Sequence, residues 1–144
     1  MVPTGIDKEK IFLQLERFEE NLARLKEIQK TIEKEKTKTL ISAAERILQV
    51  SIEECLNIGS HLIAGLELKR ADTYRGIFRR LTEAEMLSPE TGKKLEEFAS
   101  FRNRLVHLYW EVTEEEVISK LKELDILKSF AKEVLKKIEE ENES

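Results

Sequence analysis

Apolar residues recur at spacings of three and four, with one step of seven, along the first quarter of the chain. These positions are Ile11, Leu15, Phe18, Leu22, Leu25 and Ile32. The periodicity predicts an amphipathic helix that begins near Lys8, capped by Asp7, and ends in the mid-thirties. The wholly polar segment 33–38 predicts a break, after which Thr37 or Thr39 would cap a second helix.

The second helix has a broad apolar arc, as expected of a central helix that packs against neighbours on more than one side. Its apolar and small positions are Leu40, Ala44, Ile47, Leu48, Ser51, Cys55, Leu56, Ile58, Leu62 and Ile63. Gly65 is the expected end of this helix. Cys55 is the single cysteine, so it cannot form an internal disulfide. Its apolar surroundings predict a buried, unreactive thiol.

Three further patterns predict the remaining helices. A short helix follows Asp72, with one face formed by Tyr74, Ile77, Phe78 and Leu81. The pair Ser88-Pro89 supplies a favourable cap and first residue for a fourth helix. Thr113 and Glu116 form a capping box, from which a last helix would run to residue 138.

The prediction is therefore an all-α, antiparallel bundle of about five helices. It is one domain over residues 1–144, with frayed ends at 1–6 and 139–144. Five Gly and two Pro in 144 residues are too few for the turns of a β-sandwich. The chain has no stretch of about 18 apolar residues and no visible signal peptide. We therefore expect a cytoplasmic protein without membrane association.

Charge is unevenly distributed along the chain. The formal net charge is −4, but residues 69–104 contain nine basic and six acidic residues, which leaves −7 for the rest. A basic middle could hold a polyanion, although charge alone favours solvated helix faces. No Gly-rich phosphate loop or cluster of metal ligands is visible, so neither a metal nor a cofactor is expected.

Many of the chemically versatile residues lie in the segment 100–112, which contains two Arg, Asn, His, Tyr and the only Trp. On a continuous helix, five of them share an arc of about 160°. They are Arg102, Asn103, His107, Tyr109 and Trp110. Asn103 and His107 would form an i,i+4 pair, whereas Arg102 and His107 diverge by about 140° and would flank a groove. A helix break within 103–107 would change this geometry.

Arg102 and His107 are sufficient for metal-free RNA cleavage. The imidazole can exchange protons near neutral pH while the ribose 2′-OH attacks the adjacent phosphorus. The guanidinium can stabilise the charge on the phosphoryl oxygens. Asn103 could orient the imidazole or bind a phosphate oxygen, and Tyr109 could stack on a base.

A purely structural interpretation of the same segment also stands. Arg102 could form a surface ion pair with Glu96 or Glu97. Tyr109 and Trp110 could be core aromatics whose polar tips are satisfied. Spacing alone favours this interpretation, because Arg-x4-His occurs often by chance.

The string Phe-Arg-Asn-Arg-Leu-Val-His-Leu-Tyr at 101–109 resembles the Arg-x4-His-x-Tyr signature of HepT-like toxins in the HEPN superfamily. Segments 44–61 and 74–81 are similar to the second and third helices of that family. The resemblance implies an all-α homodimer in which the motifs of two subunits line one cleft and act as a metal-independent ribonuclease. It also implies a minimal nucleotidyltransferase antitoxin as the partner.

Carried over by position, the resemblance makes Arg102 the phosphate clamp and His107 the acid–base residue, with Asn103 as the polar residue beside the clamp. Tyr109 matches the tyrosine that the antitoxin modifies with AMP, and the added phosphates would repel RNA from the cleft. This chain departs from the family at Asn57, where an Asp is frequent. A charge that supports the cleft from that position would be weaker here.

Three hypotheses compete. The first is the toxin ribonuclease of a type II toxin–antitoxin system, neutralised by a nucleotidyltransferase antitoxin. The second is a non-catalytic helical adaptor that binds a nucleotide or a nucleotidyltransferase partner. The third is a plain structural bundle, in which Arg102 and His107 would be buried within one chain or scattered.

Overall fold

A computed structural model describes residues 5–143, with side chains described as far as residue 140, and these residues form helices and no strands. The helices are α1 Lys8–Lys34, α2 Lys38–Gly65, α3 Tyr74–Glu83, α4 Pro89–His107, α5 Glu114–Leu121 and α6 Leu124–Glu143, with a single 3-10 turn at Tyr109–Glu111. The expected all-α fold is confirmed. None of the described helices is both long and apolar enough to cross a membrane.

Side-chain caps begin the helices where the sequence indicated. The Asp7 carboxylate accepts a hydrogen bond from a backbone N–H of α1, and Thr37 does the same for α2. Ser88 caps α4, with Pro89 in its first turn. Thr113 forms the expected capping box at α5. Each cap satisfies a backbone donor that the first turn leaves without an intrahelical partner.

The last predicted helix is two helices in the structure. The sequence indicated one helix from residue 114 to residue 138, but the chain turns between α5 and α6. The N–H groups of Lys122 and Glu123 bond to carbonyls three residues back, at 3.1 and 3.0 Å, which tightens the backbone. The turn lets α5 pack on α1 and α2 while α6 packs on α1 and α4.

The first two helices pack as an antiparallel hairpin. Asn21, near the middle of α1, donates a hydrogen bond to the Glu54 carboxylate of α2 at 3.0 Å. Because the two helices run in opposite directions, Gly5, which precedes α1, lies against Gly65 at the end of α2. A Cβ on either glycine would lie 2.9 Å or less from atoms of the other segment. Only glycines allow this close approach.

Aromatic rings from three helices meet in the core. Phe130 of α6 packs edge-to-face against Phe18 of α1 and Phe78 of α3, with ring centroids 6.0 and 6.1 Å apart. Cys55 of α2 is fully buried, and this burial raises the pKa of its thiol well above the ordinary value. The expected burial of the thiol is therefore confirmed, and the raised pKa agrees with the expected low reactivity, because the thiolate is the reactive form.

Both ends of the described chain are structured. The N-terminal end contacts the rest of the protein, and the C-terminal end is helical. Ile6 packs against the core and Gly5 contacts α2, although the sequence placed both in a frayed end. Helix α6 continues to Glu143, through residues also expected to fray. Residues 1–4 and Ser144 lie outside the described residues.

Candidate active site

Helix α4 ends at His107, in the middle of the motif. The N–H of Leu108 still bonds to the Arg104 carbonyl at 2.9 Å, but its own backbone angles of φ −136° and ψ 41° leave the helix. Tyr109 then begins a 3-10 turn. The helical projection therefore holds from Arg102 to His107, and Tyr109 does not continue the helical stack above Arg102.

The Arg102 guanidinium is held by α2. Its Nε and Nη2 both donate to one oxygen of the Glu53 carboxylate, at 3.0 and 2.7 Å. Gln49, one turn earlier on α2, donates to the same oxygen at 3.3 Å. The expected pairing of Arg102 with Glu96 or Glu97 is wrong. Glu96 pairs instead with two arginines of α3, Arg75 and Arg79.

Tyr74, the first residue of α3, covers the Arg102 guanidinium. The guanidinium carbon lies 4.9 Å from the centre of the Tyr74 ring, a cation–π arrangement. The third Arg102 nitrogen, Nη1, donates to the Asn103 side-chain oxygen at 3.2 Å. With these partners, only 13% of the Arg102 side chain remains exposed. These contacts fix the position of the guanidinium within the fold.

An open groove of about 630 Å³ runs between the start of α3 and the end of α4. Its α3 side includes Asp72 and Tyr74, and its α4 side includes Asn103 and His107. His107 is exposed, and none of the described side chains is hydrogen-bonded to its imidazole. The expected Asn103–His107 pair is not formed, because the Asn103 oxygen accepts from Arg102 instead. The structure thus brings Asn103 and His107 to one groove, with Arg102 directly behind Asn103 and Tyr74.

Two aromatic residues beside the groove face outwards. Tyr109 and Trp110 are each 68% exposed, and their rings meet edge-to-face at 5.4 Å. The interpretation of these residues as core aromatics is therefore wrong. Leu108, which lines the groove, is also exposed. Large exposed apolar groups next to one another mark an interaction surface more often than a plain surface.

Arg104 ties the end of α4 to α5. Its guanidinium donates to both oxygens of Glu116, from Nη2 to Oε1 at 3.0 Å and from Nη1 to Oε2. The hydrogen bonds from Arg104 are the main reason that the pKa of the Glu116 carboxyl is lowered. Glu116 is also part of the Thr113 capping box. This ion pair fixes where the chain goes after His107.

The basic middle of the chain is largely paired with carboxylates. Six of its nine basic side chains form ion pairs: Arg75, Arg79, Arg80, Lys94, Arg102 and Arg104. Its positive balance is therefore offset locally, and the plainer interpretation as paired, solvated helix faces is the better one. Within the described residues, no three His, Cys, Asp or Glu side chains are grouped as metal ligands would be.

Asn57 does not support this groove. It lines a separate groove of about 500 Å³ between α1 and α2, together with Arg17 and Glu54. The carboxylate that supports Arg102 is Glu53, one turn earlier on α2. Sequence reasoning missed Glu53 and Tyr74, because Glu53 lies 49 positions from Arg102 and no local pattern links them.

Comparison with known proteins gives one family. Residues 18–134 match the family model described as "Ribonuclease HepT-like". A tRNA nuclease HepT from Aphanizomenon flos-aquae (strain 2012/KM1/D3) is 30% identical over 73 residues, which are 51% of this chain and 50% of the relative. The chain therefore matches about half the length of that curated relative.

Solved structures of other proteins share the fold of this chain. YutE, a cytosolic protein of unknown function from Bacillus subtilis, has a TM-score of 0.83 and 23% identity over 98% of this chain and 95% of its own. A tri-AMPylated HEPN toxin from Shewanella oneidensis, in complex with an MNT antitoxin, has a TM-score of 0.79 and 19% identity over 86% of this chain and 95% of its own. At such identities the likeness concerns the fold alone.

Proposed function

Since this chain belongs to the HepT-like ribonuclease family, we propose that it is the toxin ribonuclease of a type II toxin–antitoxin pair. It cleaves RNA at a cleft formed by two copies of the chain and needs no metal or cofactor. Its partner is a minimal nucleotidyltransferase that acts as the antitoxin. The observation that carries the proposal is an exposed imidazole on the groove, His107, with a preorganised Arg102 one helical turn and a half earlier.

The reaction is an internal transfer at phosphorus. The ribose 2′-oxygen forms a bond to the adjacent phosphorus, and the bond from phosphorus to the 5′-oxygen of the next nucleotide breaks. A His107 imidazole accepts the proton of the 2′-OH, and a protonated imidazole donates to the leaving 5′-oxygen. Arg102 stabilises the charge that builds on the phosphoryl oxygens. The products are a 2′,3′-cyclic phosphate and a 5′-OH.

Two copies of the chain solve a geometric problem of the single helix. Residues five apart on an α-helix are separated by about 7.5 Å along the axis and about 140° around it. One α4 therefore points Arg102 and His107 in different directions. A homodimer lets Arg102 and His107 of two subunits face the same phosphate. The exposed surface of Leu108 and Trp110 next to His107 is suited to such an interface.

Tyr109 is the proposed site of neutralisation. The antitoxin transfers AMP from ATP to the Tyr109 oxygen, which forms a bond to the α-phosphorus as pyrophosphate leaves. The exposure of Tyr109, two residues after His107, makes its hydroxyl accessible to a second protein. Each added AMP brings negative charge close to His107, which repels the RNA backbone.

Cleavage of total RNA in the presence of EDTA tests the proposal. Wild-type protein should cleave, while His107→Ala and Arg102→Ala should each lower the rate by about 100-fold or more. His61→Ala is the matched control, because His61 is the only other histidine and lies on α2 outside the groove. Equal cleavage by wild type and His107→Ala would show that the activity belongs to another residue or a contaminant.

One observation favours the second hypothesis, a non-catalytic adaptor. Arg102 already has Glu53, Asn103 and Tyr74 as partners and is largely buried, as a structural arginine would be. An adaptor would bind the nucleotidyltransferase tightly and cleave no RNA under any condition. Binding measured by co-purification, alongside the cleavage assay above, separates the two functions.

A further inference from the structure

Tyr74 has a place in the groove that the proposed reaction does not use. Its ring lies against the Arg102 guanidinium at 4.9 Å, and its remaining surface lines the same groove as His107. The side chain is 43% exposed, which is high for an aromatic residue of a helix packed on both α2 and α4. A flat, half-exposed ring therefore stands across the groove from the imidazole.

The two sides of the groove differ in charge. The α3 side presents the Asp72 carboxylate beside the Tyr74 ring, whereas the α4 side presents His107 and Arg104. A phosphate is repelled by Asp72 and is better accommodated on the α4 side, whose residues lining the groove include no carboxylate. A nucleobase suits the α3 side, because its face can stack on an aromatic ring and its N–H groups can donate to a carboxylate.

We propose that Tyr74 is the base-stacking platform of this site and that it holds an unpaired nucleobase next to the phosphate at His107. The inference rests on the proposed ribonuclease function and names its substrate class: single-stranded RNA or an unpaired loop. Bases in a duplex are stacked on their neighbours and cannot lie flat on a protein ring. The Arg102 guanidinium, which lies against the ring, keeps the platform in place and is itself the proposed phosphate clamp.

The test is a double-variant cycle, in which the Tyr74 ring and a base of the oligonucleotide probe are removed separately and together. The probes are short single-stranded oligodeoxynucleotides that carry one ribonucleotide, so that only one linkage can be cleaved. They are made with each of the four bases, and with an abasic sugar on the 5′ or the 3′ side of that linkage. Wild type, Tyr74→Leu and Tyr74→Phe are compared by kcat/KM. Tyr74→Phe is the matched control, since it keeps the ring and loses the hydroxyl.

For wild type and Tyr74→Phe, removal of the base on one side should lower kcat/KM by roughly 5- to 150-fold, the range measured for base–aromatic stacking. Tyr74→Leu should lose a similar factor with the intact probe and then be insensitive to base removal. If base removal has the same effect in Tyr74→Leu as in wild type, the ring only positions Arg102 and the proposal is overturned. The proposal is also overturned if sedimentation velocity shows that Tyr74→Leu no longer self-associates, because Tyr74 then belongs to an interface between copies of the chain.

A binding measurement separates this inference from the proposed function. Fluorescence anisotropy of the labelled probes reports binding whether or not they are cleaved. Binding that depends on both the base and the Tyr74 ring, without any cleavage by wild type, would keep the platform and remove the ribonuclease. A wild-type chain that neither cleaves nor binds these probes would overturn the platform, and one that also fails to cleave total RNA would overturn both.

Discussion

The Arg102 guanidinium donates two hydrogen bonds to a single carboxylate oxygen of Glu53, from Nε at 3.0 Å and from Nη2 at 2.7 Å. This contact joins α4 to α2 across 49 sequence positions. Charge-assisted hydrogen bonds of this kind are stronger than neutral ones and fix the plane of the guanidinium. The proposed phosphate clamp is therefore oriented by the fold itself.

Glu53→Gln should release Arg102 and destabilise the protein. The variant keeps one acceptor oxygen but loses the charge opposite a guanidinium that is 13% exposed. We expect the free energy of unfolding to fall by about 1–3 kcal/mol, measured by urea denaturation. Glu19→Gln, at an exposed position of α1, is the control and should change little. Equal effects of the two substitutions would mean that the pair contributes nothing to stability.

The Arg104–Glu116 pair should make stability depend on pH in the acidic range. The pKa of Glu116 is lowered from its ordinary value of 4.5, chiefly by hydrogen bonds from Arg104. Its stabilising contribution is therefore present above pH 4.5 and lost as the pH falls through the lowered pKa. Glu116→Gln should have a lower urea midpoint than wild type at pH 7, and the difference should shrink towards pH 3.

Glu115→Gln is the matched control for this pH dependence. Glu115 lies in the same first turn of α5 and interacts equally with the helix dipole, but it is exposed. In Glu115→Gln, the change in urea midpoint between pH 7 and pH 3 should be close to the change in wild type. A gap between wild type and Glu116→Gln that stays constant from pH 7 to pH 3 would contradict the assigned shift.

Gly92→Ala should destabilise the packing of α4 on α3. A Cβ at position 92 would lie 1.9 Å from the Thr82 hydroxyl oxygen and 3.1 Å from the Thr82 Cβ. The overlap should lower the free energy of unfolding by about 1–3 kcal/mol. In a Thr82→Ala background the oxygen is absent and only the contact with the Cβ at 3.1 Å remains, so the same substitution should cost less, helped by the higher helix propensity of Ala. Thermal unfolding of the four chains checks this cycle.

Ser51→Ala should leave stability unchanged or raise it. Ser51 is fully buried on α2, and its hydroxyl has no hydrogen-bond partner among the described residues. Removal of an unpaired buried hydroxyl gains about 1 kcal/mol. Ser42→Ala, exposed on the same helix, controls for the change in helix propensity. A loss of stability in Ser51→Ala beyond that of Ser42→Ala would indicate that the hydroxyl is satisfied in solution.

Tyr109 should gain mass when the chain is co-produced with its nucleotidyltransferase partner. We expect additions of about 329 Da for each AMP, the mass of AMP less one water, by intact-protein mass spectrometry. Tyr109→Phe should show none and should remain active as a ribonuclease in the presence of the partner. Tyr74→Phe, the other tyrosine of the chain, should be modified like wild type. Unchanged additions in Tyr109→Phe would assign the modification to another residue.

The sequence by itself determined where most of the helices begin and which residues form the motif. Caps such as Asp7, Thr37 and Ser88 act on backbone groups within three residues, and apolar periodicity acts within a few turns. These interactions are local, so they can be recognised without knowledge of the fold. For the same reason the segment from Arg102 to His107 could be recognised and given a chemical role, whereas the end of α4 at His107 was not predicted.

Only the tertiary structure decided what surrounds that motif. The choice of Glu53 as the partner of Arg102, the position of Tyr74 over the guanidinium and the outward direction of Trp110 all depend on how distant helices pack. The turn between α5 and α6 belongs with them, since no Gly or Pro marks it and it serves to pack two segments on different neighbours. Contacts between distant positions are set by the arrangement of whole helix faces, and no single stretch of the chain encodes them.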